Sequence, residues 1–183
     1  MFEPQEDPDI NTVWTWFEFQ NSLLGDYLVR VLRAVGDASL DNGKSSEPSV
    51  ARFRGMTRDE VVSFFDAQRG QLELLTMFEL LATTEALLRI DFHARVTTKR
   101  KDGLSRRFRE MDKSGQSVRL EDILGAMKEE GVPANLVADF RGVLKLRHWL
   151  AHGRHWNPKL GRDYTPNDVF DISRDLIASI PRS

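Results

Sequence analysis

Between Leu72 and Ile90 the chain reads as a helix that is apolar on almost every side. Leu72, Leu74, Leu75, Phe78, Leu80, Leu81, Leu87, Leu88 and Ile90 do not gather into one stripe at a period of 3.6 residues. That is the pattern of a helix surrounded by other elements. A central helix is therefore expected over 71–98. Its few polar residues become informative, because a buried polar group has to be matched. Glu73, Glu79, Glu85 and Arg89 interrupt the run, so it does not read as a membrane span.

The flanking segments also carry helical spacing. Trp14, Phe17, Leu24, Leu28, Val31 and Val35 form a stripe over 11–35, and Trp16, Phe19, Leu23 and Tyr27 widen it. So many aromatic residues on one helix read either as core throughout or as a core face plus a subunit contact. Residues 36–56 read as a polar loop rich in Gly and Ser. Thr57 and Glu60 have capping-box spacing, and a short helix is expected from there through Ala67. A further helix is expected over 118–130, ended by Gly131, and another from Pro133 to His152, stopped by Gly153. Thr165-Pro166-Asn167-Asp168 reads as a helix start, followed by Val169, Ile172, Leu176 and Ile180 and a stop at Pro181. No segment alternates as a strand does. The expected fold class is all-α, a single bundle of five to six helices. Residues 1–10, acidic and with two prolines, are expected to be a flexible tail, and 11–183 one helical domain.

A chain of 183 residues has room for one substantial core. It contains no cysteine, which removes disulfides, thiolate metal sites and cysteine nucleophiles, and fits a reducing cytoplasm. The net charge is −2, so nucleic-acid binding would need a local patch. One exists at 95–113. Arg95, Lys99, Arg100, Lys101, Arg106, Arg107, Arg109 and Lys113 stand against Asp102, Glu110 and Asp112, a local net charge of +5. Such a run is a solvated face or a track for phosphates.

The chemistry concentrates at the end of the helix expected over 134–152. Leu136, Phe140 and Val143 define its apolar face, and Arg147 falls about 20° from Phe140. An arginine there needs a partner. Glu85 and Asp91 on the central helix are the candidates, although Glu85 could instead pair with Arg89 at i,i+4. His148 and His152 are one turn apart and share a face. Arg147 and His152 would point about 140° apart on a continuous helix. They converge only if the helix ends or bends between them, or if a second protomer supplies the partner group. His148, His152 and His155 could also be read as a metal site. No carboxylate or cysteine stands at ligand spacing beside them, so no metal and no cofactor is expected. His93 reads as a core or surface residue, and Trp149 and Trp156 as packing residues that could also stack on a base.

The wording Arg147-His148-Trp149-Leu150-Ala151-His152-Gly153 resembles the motif of the HEPN superfamily, helical domains named for nucleotide binding in higher eukaryotes and prokaryotes. That motif is an Arg, usually followed by Asn, His or Asp, then a His after four to six residues. The central segment ATTEALLRIDF is similar to the family's second core helix, where a buried acid such as Glu85 is common. The resemblance covers about 70–180. It implies a metal-independent endoribonuclease of toxin or defence type. In such enzymes the ribose 2′-OH attacks the adjacent phosphate and leaves a 2′,3′-cyclic phosphate and a 5′-OH. Arginine suits the charge growing on the phosphorane, histidine suits proton transfer near neutral pH, and the 2′-OH makes RNA the substrate. Carried over, Arg147 and His152 are catalytic and His148 positions the phosphate or supports His152. Glu85 orients Arg147, and Arg154, Lys99, Arg100, Lys101, Arg106 and Arg107 would contact RNA. The resemblance also implies a homodimer with the cleft at the subunit interface, and an antitoxin or regulatory protein as a further partner. The alternative is a non-catalytic module of the same type that binds RNA or protein. A branch of the family paired with nucleotidyltransferase antitoxins has Tyr two residues after the His. Here Arg154 stands in that place, so control through an adenylylated tyrosine is not implied.

Overall fold

In the computed structural model, residues 8–38, 48–98, 100–113, 115, 117–152 and 161–181 are described. They form six α-helices: α1 (Ile10–Ala38), α2 (Arg58–Thr97), α3 (Gly103–Lys113), α4 (Leu120–Glu129), α5 (Ala134–Ala151) and α6 (Pro166–Ala178). A 3₁₀ segment, Pro48–Phe53, precedes α2. The described residues contain no strand, and the chain is all-α as its periodicity predicts. Among them no helix is long and apolar enough to cross a membrane.

The expected short helix ending at Ala67 and the central helix from 71 are one element, the 40-residue α2. Gly70 does not break it. A glycine inside a helix costs only about 1 kcal/mol against alanine, and Arg69 beside it is anchored on Asn21 (3.1 Å). The Thr57 capping box forms: the Thr57 N–H donates to Glu60 (2.7 Å) and the Glu60 N–H to the Thr57 hydroxyl (3.3 Å). The Thr57 N–H and the Thr57 hydroxyl (2.9 Å), both donating to the Glu60 carboxylate, hold that carboxyl below its usual range.

The chain divides into two compact units, residues 15–75 and residues 1–14 with 76–183. In the first, Val31, Val50, Phe53, Val61 and Phe65 form the core, with Tyr27 and Leu28 packed against it. The region expected as polar loop thus supplies two core residues, Val50 and Phe53. Phe53 stacks on Phe65 with ring centroids 5.7 Å apart. On α1 the aromatic residues split. Phe17 is buried, whereas Trp16, Phe19 and Leu23 are 42%, 60% and 46% exposed.

In the second unit α5 packs against α6 and α4, and α4 against α3. Leu80, Leu88, Phe108, Leu124, Phe140 and Leu176 are buried here. Gly131 ends α4 with φ +100°, a conformation that glycine adopts without a Cβ clash. The Val132 N–H then donates back to Met127 (3.0 Å). Thr165 and Asp168 form the second capping box, with the Thr165 N–H donating to Asp168 (2.8 Å). The Thr165 hydroxyl and N–H hold the Asp168 carboxyl below its ordinary range.

Candidate active site

Helix α5 buries Val137, Phe140, Val143 and Leu146, and Arg147 lies at the edge of that face. Its Nη2 meets Glu85 Oε2 of α2 at 3.0 Å, with the two side chains 36% and 16% exposed. Glu85 Oε1 accepts from Arg89 Nε (3.0 Å) and Nη2 (2.9 Å). The two pairings that the sequence leaves open for Glu85 therefore coexist, one on each carboxylate oxygen. Arg89 Nη1 reaches on to the Val118 carbonyl (3.5 Å). This chain ties α5 to α2 and to the segment before α4. Asp91, the other candidate partner for Arg147, is taken by Arg95 Nε at 2.6 Å.

The Arg147 guanidinium is not saturated. Its Nε is buried and has no hydrogen-bond partner among the described residues. A charged donor in that state is costly to the fold.

His148 and His152 lie one turn apart, both exposed, with ring centroids 4.3 Å apart and planes at 57°. The His152 N–H donates to the His148 carbonyl (3.2 Å). His152 closes the helix with φ −97° and ψ 21°. Because α5 stays helical through Ala151, Arg147 and His152 leave it about 140° apart. Two imidazoles on one face can accept and donate protons. The part-exposed guanidinium, on a different face, can bind an anionic oxygen.

The basic residues of 95–113 have separate fates. Arg95 is buried and bonded to Asp91, Asp102 (3.0 Å) and Ser105 (3.3 Å). Arg107 pairs with Glu129 of α4 (3.1 Å). Arg100 lines a cavity at the end of α6. Lys101 and Arg106 are exposed. Lys99, Arg154, His155 and Trp156 lie outside the described residues.

One contact was not anticipated from sequence. A Cβ on Gly142 would sit 2.6 Å from the Tyr164 hydroxyl. Tyr164 therefore lies directly on the α5 backbone, with the Arg162 guanidinium 4.8 Å from its ring centroid. A glycine in mid-helix was the available signal.

In comparison with known proteins, no family model, curated protein or solved structure matches this chain.

Proposed function

We propose that the chain is a metal-independent endoribonuclease of the HEPN type, acting in the cytoplasm in a toxin or defence setting. The observation that carries this reading is the Glu85–Arg147 ion pair, which fixes a part-exposed guanidinium on the same helix end that carries the His148–His152 pair. In the reaction the ribose 2′-oxygen forms a bond to phosphorus as the bond to the 5′-oxygen breaks. His152 accepts the 2′-OH proton, and the imidazolium so formed gives it up to the leaving 5′-oxygen, which returns His152 to its neutral form. The products are a 2′,3′-cyclic phosphate and a 5′-OH. Arg147 neutralises charge on the non-bridging oxygens, an effect worth about 3–4 kcal/mol for one well-placed donor. Glu85 is a positioning residue for Arg147, and His148 supports His152.

The angle of about 140° between Arg147 and His152 calls for a second copy of α5, so that Arg147 of one protomer faces His152 of the other. A homodimer with both motifs in one cleft satisfies that need, and an antitoxin or regulatory protein would cover the same cleft. The same divergence favours a second reading, a non-catalytic module that holds RNA or a protein partner on Arg147. Labelled RNA incubated with wild type and with His152→Ala, both in EDTA, separates the two. Cleavage that leaves cyclic phosphate and disappears in the variant supports the ribonuclease. Intact RNA with tight binding lost in Arg147→Ala supports the module.

A further inference from the structure

An open cavity of about 700 Å³ lies among the start of α1, the last turns of α2 and the end of α6. Its wall is largely apolar, with Leu87, Ile90, Ala94, Ile177 and Ile180 among the lining residues. Ile90 is 49% exposed there. The size is that of a small-molecule site, and the Arg147 site does not use it.

The charges around this cavity can be accounted for one by one. Asp9 caps α1, accepting from the Asn11 N–H and side chain (2.9 Å each) and the Thr12 hydroxyl (3.3 Å). Asp91 is bound by Arg95 (2.6 Å), which also holds Asp102 (3.0 Å). Arg174 is held by Asp171 (2.9 Å) and Asp175 (3.0 Å). Arg100 remains, partly buried in the lining and with no ion pair or hydrogen bond among the described residues. An apolar wall with one uncompensated guanidinium is complementary to a ligand that is apolar along its length and anionic at one end. The planar fork of arginine matches a carboxylate. Asp9 and Asp91 in the same lining weigh against a doubly charged head group.

We propose that this cavity binds a medium-chain alkyl carboxylate, its chain against Ile90 and Ile177 and its carboxylate on Arg100. Titration calorimetry with decanoate below its micelle concentration tests this, alongside decanol, which has the same chain without the charge. Wild type binds decanoate, and Arg100→Gln weakens that binding about tenfold or more. Decanol binds both proteins alike and more weakly than decanoate binds wild type. Ile90→Asp, at a half-exposed position, weakens both ligands. No heat with decanoate, or equal affinity in wild type and Arg100→Gln, overturns the proposal. So does displacement of decanoate by a short oligouridylate, which would return Arg100 to an RNA surface.

Discussion

Arg95 and Arg147 both bring a guanidinium to the edge of a hydrophobic core, and the protein treats them differently. Arg95 is 1% exposed and saturated by Asp91, Asp102, Ser105 and the Pro181 carbonyl. It fastens the end of α2 to the start of α3 and to Pro181, three residues past the end of α6. Arg147 is 36% exposed, and its carboxylate partner Glu85 is shared with Arg89. Its Nε has no acceptor among the described residues. A saturated cation has no donors left for a ligand. A part-exposed one, held in place by a single carboxylate, keeps its exposed edge for a ligand at little reorganisation cost. The contrast makes Arg95 a residue of stability; on the proposed function, Arg147 is the one for binding or chemistry.

The largest expected effect is on the saturated side. Arg95→Ala leaves Asp91 and Asp102 without their cation and costs about 3–5 kcal/mol in urea unfolding. RNA cleavage per folded molecule stays near wild type. Arg147→Ala does the reverse. Cleavage falls about 100- to 1,000-fold, while the urea midpoint moves by the equivalent of about 1 kcal/mol. If Arg147→Ala destabilises the chain as much as Arg95→Ala does, the contrast is broken and Arg147 is a structural residue.

This contrast was only half legible in the sequence. The Arg147 side was readable, since helix phase placed an arginine at an apolar face and left Glu85 and Asp91 as the partners to hand. The Asp91-to-Arg95 spacing was equally plain, but Arg95 also belongs to a run of like charges. Charge counting assigns such a run to solvent or phosphate. Burial depends on how α3 folds back, which no local pattern encodes. The start Asp102-Gly103-Leu104-Ser105 was the missed clue, because Asp102 accepts from the Ser105 N–H (2.9 Å) and hydroxyl (2.6 Å) as an N-cap. Helix type and most ends were legible because caps are local. The core role of Val50 and Phe53 was not, because a 3₁₀ turn of six residues is too short to show a period. The exposure of Trp16, Phe19 and Leu23 was not either, since periodicity shows a stripe without showing what covers it.

A smaller effect sharpens the Arg147 side. Glu85→Gln keeps the shape of the side chain and removes the charge shared by Arg89 and Arg147. It should cost about 1–3 kcal/mol of stability. Cleavage falls less than in Arg147→Ala, because the guanidinium is misplaced rather than lost. The double variant Glu85→Gln, Arg147→Ala should lose little more activity than Arg147→Ala alone, as expected for residues acting as a unit. Additive losses would show that Glu85 acts separately from Arg147.

The smallest effect is a pH dependence on the Arg95 side. Burial pushes the Asp102 carboxyl up. The Ser105 hydroxyl and N–H and the Arg95 charge outweigh it and hold the carboxyl below its ordinary value of 3.8. A carboxyl whose folded value lies below its unfolded one contributes stability that is complete above the unfolded value and is lost as pH falls through the folded one. Asn caps a helix about as well as Asp, so Asp102→Asn removes the charge and leaves the cap. Wild type should exceed Asp102→Asn by a constant margin in urea unfolding above about pH 5. That margin should shrink below about pH 4 as the wild-type carboxyl takes up its proton. A margin that does not change with pH would mean that Arg95 is held by hydrogen-bond geometry and not by the Asp102 charge. The two arginines would then differ in the number of their acceptors and not in the charge that surrounds them.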